Sequence, residues 1–244
     1  MLERRTAQTF VELADTLVGG FDVIDFLQGL SERCVELLDV EAAGILLVDP
    51  RSSLQLVAAS SEQVRLLELL QLQDEEGPCL DCFHTGHVVS CPDLTAEPRR
   101  WPRFAVAARE AGFLGVHAVP LRLREQTLGA VNLFRASARP LGAEAAAVAQ
   151  ALADVATIGI LHERALRQHQ LVNEQLQYAL NSRIVIEQAK GVLSERGQID
   201  VAEAFNLMRG YARSRNRPLS AIALAVINQE AEVADLLAGY QSGR

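Results

Sequence analysis

The chain has 244 residues, of which 49% are hydrophobic and 22% are charged, and its formal net charge at pH 7 is -8. These values are typical of a soluble globular protein with one large domain or two unequal ones. The negative net charge argues against a protein that binds nucleic acid over its whole surface. The N-terminal residues are polar and no secretory signal follows them, which predicts a cytoplasmic protein. Its four cysteines are therefore expected as thiols or ligands and not as disulfides.

The first two thirds of the chain alternate between helical and extended patterns. In chain order, the patterns predict helices at residues 9–18 and 21–38, strands at 43–48 and 54–59, a helix at 64–72, a loop or short helix at 79–86, a strand at 88–91, a helix at 101–111 and strands at 116–123 and 127–134. Neighbouring hairpins, in place of regular strand–helix–strand alternation, predict an α+β domain built on an antiparallel sheet that helices flank.

A long alanine-rich helix is predicted to begin at Gly142 and to run unbroken to Gly191, and the chain is predicted to turn near Gly197. Its most apolar part, residues 143–161, is interrupted by charged side chains such as Glu144 and Asp154. We therefore expect a packed helix and no membrane span. The same helix links the first domain to the segment behind Gly191.

The middle of this helix has the spacing of a coiled-coil seam. Alternating steps of four and three residues connect Ala165, His169, Val172, Leu176, Ala179, Arg183 and Ile186. We therefore predict a connector at residues 164–175 that joins two copies of the chain as a homodimer and transmits a signal between domains. A single exposed helix is the alternative, because His169 and Arg183 interrupt the apolar seam.

Two shorter helices are predicted behind the long one. Asp200 stands three residues before Glu203, which is the arrangement of a capping box at a helix start. After an arginine-rich turn, Ser220 is expected to cap a third helix that runs through Ala231. The tail after Ala238 is rich in glycine and polar residues, so we expect it to fray.

Charge is distributed unevenly along the chain. Residues 181–219 contain seven Arg and Lys against four Asp and Glu, a local balance of +3, so the other residues together carry -11 in a chain of net charge -8. An acidic body with one basic segment favours a local site for a polyanion, because the acidic remainder repels nonspecific RNA. On charge alone, a solvated helix face is an equal alternative.

Several spaced motifs fall within residues 176–233. They are the pair Ser182-Arg183, the triplet Ala189-Lys190-Gly191, the pair Ala204-Phe205 with Arg209, and the Arg-Pro-Leu run at 217–219. With these motifs, the segment resembles the ANTAR domain, a small helical RNA-binding module of bacterial transcription antiterminators. The resemblance implies that residues 176–244 form this domain and that a dimer binds a pair of RNA hairpins with six-nucleotide loops, which prevents a terminator from forming.

The same resemblance predicts the residues of an RNA face. They are Arg183, Lys190, Arg209, Arg213, Tyr211 and Asn216, together with the small residues Ala189 and Gly191. Arginine and lysine are expected to hold phosphates, and Tyr211 or an arginine plane is expected to stack on an unpaired base. Ala189 and Gly191 would let another helix or the RNA backbone approach closely. For the apolar Phe205, core packing is the expected role.

Three runs in the first part of the chain indicate a second family. They are Glu-Gly-Pro-Cys at 76–79, Arg-Trp-Pro-Arg-Phe at 100–104, and the strand pair at 120–134. With the order of elements, they resemble a GAF domain at residues 1–163, of the kind fused to ANTAR in actinobacterial regulators. The resemblance implies a sensor with a pocket for a small molecule between the sheet and residues 77–115. Asn132 is followed by Leu133 and not by lysine, so we do not infer a cyclic nucleotide, and the ligand and any cofactor stay unknown.

A cysteine- and histidine-containing cluster is the competing site. Its members are Cys79, Cys82, His84, His87 and Cys91, which include the ligand types of zinc and the thiol spacing of redox chemistry. Only one Cys-x-x-Cys pair is present, so a structural role is the expected one and no metal is predicted. The alternatives are a redox or metal sensor, including an enzyme like the GAF domains that reduce methionine sulfoxide, and a regulator that binds only proteins. Phosphate-binding loops and nucleophile elbows are missing from the sequence, so we expect no catalytic residues and no enzyme.

Overall fold

The structure is a computed structural model that describes residues 2–18 and 20–228. The chain divides into two compact units, Met1–Ala165 and Leu166–Arg244. Ala231, which we predicted within the last helix, and the tail after Ala238 lie outside the described residues.

Helices and strands follow the predicted order. The first unit contains α1 (Leu2–Val18), α2 (Val23–Leu37), β1 (Ala42–Val48), β2 (Leu54–Ala59), α3 (Glu62–Asp74), α4 (Pro78–Thr85), β3 (Val89–Cys91), α5 (Pro102–Glu110), β4 (Gly115–Leu123) and β5 (Gln126–Arg135). The long helix α6 (Ala143–Gly197) begins in this unit and ends in the second, where α7 (Val201–Ser214) and α8 (Leu219–Ile227) follow. The α+β class and the C-terminal helices are therefore confirmed.

The first unit is built on one antiparallel sheet of five strands in the order β2-β1-β5-β4-β3. Because successive side chains point to opposite faces, each strand contributes to two cores. On one face, α2 and α6 cover residues such as Ile45 and Leu133. On the other face, residues of α3, α4 and α5 cover Leu46 and Phe134, and Trp101 also packs there.

The first part of α6 is a core helix. By length and composition α6 is apolar enough to cross a membrane. However, Leu152, Ala156 and Ile160 are buried against the sheet, as we predicted for this stretch. Near the end of the first unit, the Arg164 guanidinium donates to the carbonyl oxygen of Val48 at 3.1 Å. The apolar surface of this stretch is thus used by the domain itself.

Helix α6 does not end at Gly191, and that prediction was wrong. The helix continues to Gly197, because a glycine within a helix costs only about 1 kcal/mol relative to alanine and the next residues are packed. Leu193 is fully buried in the core of the second unit. The chain turns at Gln198, which has a φ of 47°.

The caps of the two short helices were predicted with mixed success. Asp200 caps α7, since its carboxylate accepts a hydrogen bond from the backbone N–H of Ala202 at 2.7 Å. Ser220 does not cap α8, because the capping position is Pro218 and the helix has already begun at Leu219. A residue inside the first turn cannot serve as the cap of the same turn.

Candidate functional site

The second unit is held together by a core of small and medium-sized side chains. Ala189 and Leu193 of α6 are fully buried against Ala204 and Met208 of α7, and Ile222 of α8 completes the cluster. Because Ala189 has only a methyl group, α6 and its neighbours can approach closely at this point. Ala189 is therefore placed in the core and not on the surface that we predicted for RNA.

Lys190 lies at the junction of α6 and α7. Its ammonium donates to both carboxylate oxygens of Glu187, at 2.8 and 2.7 Å, and stands 5.9 Å from the ring centroid of Phe205. The side chain of Lys190 is 17% exposed, whereas that of Glu187 is 58% exposed. The Lys190 charge is therefore paired in this structure, and the largely buried side chain lies next to α7.

Three further predicted cations lie on α6 and α7. Arg183 precedes Lys190 by seven residues, which is two helical turns, so both lie on one side of α6. On α7, Phe205, Arg209 and Arg213 follow one another at steps of four residues and form one row. All three arginines are exposed, and none forms an ion pair with another described residue. Lys190 contacts the first residue of the α7 row, Phe205.

Other predicted RNA-binding residues differ in their surroundings. The hydroxyl of Tyr211 is buried and has no hydrogen-bond partner among the described residues. The guanidinium of Arg215 stands 4.7 Å from the centroid of the Tyr211 ring, so that ring is already covered on one side. Asn216 lies exposed in the turn behind α7, with a φ of 50°. An added Cβ on Gly191 would meet no described atom within 4 Å, so no neighbouring helix uses its small size here.

Sequence reasoning missed one exposed aromatic side chain. Tyr178 of α6 is 67% exposed, and its hydroxyl lies 3.4 Å from the Oγ of Ser220 in the first turn of α8. The other two aromatic residues of the described part of this unit, Phe205 and Tyr211, are half-buried and each faces a cation. Tyr178 belongs to none of the sequence motifs. Only its exposure in the structure marks it as a candidate for binding.

Large apolar side chains are exposed on α6 between residues 172 and 184. Val172, Leu176, Leu180 and Ile184 follow at steps of four residues and are 41–58% exposed. We call these four residues the apolar row. Of the predicted seam, Ile186 is half-buried and packs against the core of the second unit, so it is not available to a partner helix. The exposed apolar row thus shares Val172 and Leu176 with the predicted seam. Its other two members, Leu180 and Ile184, are not part of that seam.

The cysteine- and histidine-containing cluster is divided by the fold. The thiols of Cys79, Cys82 and Cys91 are buried, whereas His84 and His87 are exposed. Burial raises the pKa of the Cys82 thiol to about 12 and raises that of Cys79 well above its ordinary value. Within residues 2–18 and 20–228, three side chains that could hold a metal ion do not come together anywhere. Thiols held in the protonated form are poor nucleophiles and poor metal ligands.

A polar network lies inside the sensor core, where we predicted a pocket. The Glu68 carboxyl is fully buried and accepts hydrogen bonds from Asn132 Nδ2 at 2.9 Å and from Gln71 Nε2 at 2.8 Å. Gln71 Oε1 in turn accepts from the backbone N–H of Cys79 at 3.1 Å. Gly44 of β1 leaves the space for the Glu68 carboxyl, which a Cβ there would overlap.

The acid of the Glu68 network forms no ion pair with a described residue. Burial raises the pKa of the Glu68 carboxyl to about 8, although the hydrogen bond from Asn132 partly opposes this. Among the described atoms, Asn132 Oδ1 is buried without a hydrogen-bond partner. The raised pKa favours the protonated form of the Glu68 carboxyl, and Asn132 Oδ1 beside it is an unsatisfied acceptor. The aromatic side chains of Trp101 and Phe104 fill the same core.

Two family models match the chain. The model of the GAF domain matches residues 22–161, and the model of the ANTAR domain matches residues 174–227. The first match covers more than half of the chain and contains the five-stranded sheet and its two cores. The second contains Leu176, Leu180 and Ile184 of the apolar row, Arg183 and Lys190 of α6, the cations of α7, and α8. No curated protein matches the chain.

Solved structures show the same fold for the first unit. The GAF domain of a phosphoenolpyruvate-protein phosphotransferase from Coxiella burnetii is 17% identical, with a TM-score of 0.53, over 67% of this chain and 96% of that chain. The corresponding domain from Acinetobacter is 15% identical, with a TM-score of 0.52, over 65% of this chain and 94% of that one. A GAF domain/HD domain protein from Geobacter sulfurreducens is 18% identical, with a TM-score of 0.50, over 59% and 95%. At such identities the likeness establishes the fold alone.

The raised pKa of the Glu68 carboxyl predicts how the stability of the first unit depends on pH. The folded protein holds its proton more tightly than the unfolded chain does, so the stabilisation is complete below about pH 4.5 and is lost as the pH rises through about 8. We expect the free energy of unfolding to fall by at most about 1.4 kcal/mol per pH unit in that window. Urea unfolding followed by the fluorescence of Trp101, the single tryptophan, measures this unit.

The matched variant is Glu68→Gln, which keeps the side-chain shape and stays neutral at every pH. Its unfolding free energy is expected to change much less between about pH 6 and about pH 9 than that of the wild type. Equal pH dependence in the two proteins would show that Glu68 is not the titrating group.

Proposed function

The chain belongs to the GAF family and carries an ANTAR domain behind its GAF domain, and from this premise we propose that it controls transcription termination by binding paired RNA hairpins in response to a signal. This architecture is that of a signal-sensing regulator with an RNA-binding output domain. The GAF unit receives the signal, and the second unit binds the transcript. We place the protein in the cytoplasm and assign it no catalytic activity of its own.

One observation carries the proposal for RNA. Lys190 lies over the Phe205 ring and so connects α6, which carries the exposed Arg183, with α7, which carries the exposed Arg209 and Arg213. Guanidinium groups bind phosphate oxygens through paired N–H donors, which suits a folded RNA backbone. The basic balance of residues 181–219 within an acidic chain restricts this attraction to the second unit.

A homodimer follows from the apolar row. Four large apolar side chains exposed along one helix are costly in water, and a second copy of the same helix would cover them. A dimer would present two cationic junctions, one for each hairpin. Binding at two joined sites raises the affinity for a paired target well above that for a single hairpin.

The competing redox or metal function has weaker support. The three thiols of the cluster are buried with raised pKa values, whereas its two histidines are exposed. We therefore propose that the signal acts on the GAF core and not through Cys79, Cys82 or Cys91. A small molecule that enters this core is the form of signal that the family suggests.

Removal of single cations tests the RNA face. We expect Arg183→Ala, Lys190→Ala and Arg209→Ala each to weaken binding of a two-hairpin RNA. The slope of log affinity against log salt should decrease by roughly one unit for each lost phosphate contact. Arg65→Ala is the control, because Arg65 is exposed on α3 of the first unit. If the three variants bind like the wild type across a salt titration, these residues do not contact RNA.

A charge in the apolar row tests the dimer. Leu176 is 57% exposed at the second position of the row, so Leu176→Glu is expected to dissociate a dimer that sedimentation detects at micromolar concentration. Gln177→Glu adds the same charge at the next exposed position, off the row, and should leave the dimer intact. A wild type that sediments as a monomer, or two variants that behave alike, would contradict the dimer.

Tyr178 replaces Tyr211 as the proposed stacking residue, because its ring is open and its hydroxyl lies near Ser220. Stacking of a base on an aromatic ring is worth about 1–3 kcal/mol. Tyr178→Leu is therefore expected to weaken binding by roughly fivefold or more without a change in the salt slope. Tyr178→Phe keeps the ring and should bind like the wild type. Equal affinities for the leucine and phenylalanine variants would exclude stacking on this ring.

A further inference from the structure

Ser220 carries a hydroxyl group that the fold of the second unit does not require. The residue lies in the first turn of α8 but does not cap this helix, because Pro218 occupies the capping position. Its side chain is half-buried and does not belong to the core cluster. Among the described residues, its hydroxyl makes one contact, at 3.4 Å from the hydroxyl of Tyr178. The Ser220 side chain can therefore be modified without disturbing the core.

The segment ahead of Ser220 is basic, exposed and irregular. Arg215 and Arg217 are exposed and stand five and three residues before Ser220. Asn216 has a φ of 50°, and Pro218 is extended with a φ of -58° and a ψ of 139°. The helical backbone is thus interrupted between α7 and α8. An exposed segment of this kind can enter the cleft of a modifying enzyme after only the first turn of α8 opens.

We propose that Ser220 is a phosphorylation site, used by a serine/threonine protein kinase that selects arginines ahead of the acceptor, and that phosphate there turns RNA binding off. This inference rests on the proposed function of the second unit. Charged residues at fixed distances from the acceptor are a means by which kinases select substrates. Ser220 Oγ forms a bond to the γ-phosphorus of ATP, and the bond from that phosphorus to ADP breaks. The hydroxyl proton passes to a carboxylate of the kinase.

The position of Ser220 explains why a phosphate there opposes RNA. Its hydroxyl lies beside Tyr178, the proposed stacking residue. Phosphoserine carries about -2 charges at pH 7, which lowers the balance of +3 in the basic segment 181–219 to about +1 once position 220 is included. Its oxygens also accept hydrogen bonds from guanidinium groups, as RNA phosphates do, and so compete for the arginines of this segment.

The fold tolerates this charge. Negative groups are favourable in the first turn of a helix, where the backbone N–H groups lack partners within the helix. The Ser220 side chain lies in the first turn of α8, whose core residues Ile222 and Val226 follow further along the helix. Phosphorylation therefore changes the charge of the proposed RNA face and leaves α8 folded.

Phosphate transfer is measured on the full chain with ATP and the catalytic domain of a kinase that requires arginine five and three residues before the acceptor. Mass spectrometry of the peptides is expected to find phosphate at Ser220 and none at Ser214, which is exposed in the same segment but has no arginine three residues before it. Arg215→Ala and Arg217→Ala should each slow the transfer by at least about tenfold, the effect of one lost hydrogen bond to a charged group. Arg213→Ala is the matched control and should not slow it. Absence of phosphate at Ser220, or equal rates in the three variants, would overturn the site.

The effect on RNA is measured with phosphoserine incorporated at position 220 during translation. The control protein carries phosphoserine at position 53, because Ser53 is exposed in the turn between β1 and β2 of the first unit. At low salt, phosphoserine at position 220 is expected to weaken binding of a two-hairpin RNA by at least about tenfold, and to lower the slope of log affinity against log salt by roughly one to two units. The control should bind like the unmodified chain, and circular dichroism should show the same helix content in all three proteins.

Three results would overturn the switch while the proposed function stands. They are unchanged affinity with phosphoserine at position 220, equal weakening by phosphoserine at position 53, and a loss of helix content at position 220, since the phosphate would then act by unfolding. If the unmodified chain binds no two-hairpin RNA, the proposed function fails and the switch of RNA binding fails with it.

Discussion

The buried core around Ala189 is the feature on which the second unit depends. Ala189 and Leu193 of α6 lie in one buried cluster with Ala204 and Met208 of α7. Lys190, the next residue, stands 5.9 Å from the centroid of the Phe205 ring. A larger side chain at Ala189 would disturb this cluster, because a filled core does not accept extra volume without strain. The contact between the two cation-bearing helices therefore depends on a small buried side chain.

In the first unit, strand β1 lies between the polar network around Glu68 and helix α6. Gly44 of β1 leaves room for the buried Glu68 carboxyl, and the carbonyl of Val48 at the other end of the strand accepts a hydrogen bond from Arg164 of α6. One strand thus contacts both the polar network of the sensor core and the helix that leaves the unit. A ligand that supplied a donor to Asn132 Oδ1 would satisfy a buried acceptor that lacks a partner, which is a favourable change in free energy.

Much of this architecture could be predicted from the sequence, because periodic apolar residues determine where helices and strands form. The two family resemblances, the α+β class and the cap at Asp200 are confirmed. The helix end at Gly191 was wrong, since a local glycine signal was outweighed by packing of Leu193. Contacts between distant residues were out of reach: Glu68 and Asn132 are 64 residues apart, and no spacing rule connects them. Likewise, only the structure shows that Tyr211 is covered and that Tyr178 is open.

The central claim is that RNA binds at the junction of α6 and α7 in the second unit. Ultraviolet crosslinking of the full chain to a two-hairpin RNA, followed by mass spectrometry of the crosslinked peptides, tests it most directly. We expect crosslinks at residues 178–191 and 205–213. Crosslinks confined to the GAF unit, or none above the level of an unstructured RNA of the same length, would contradict it.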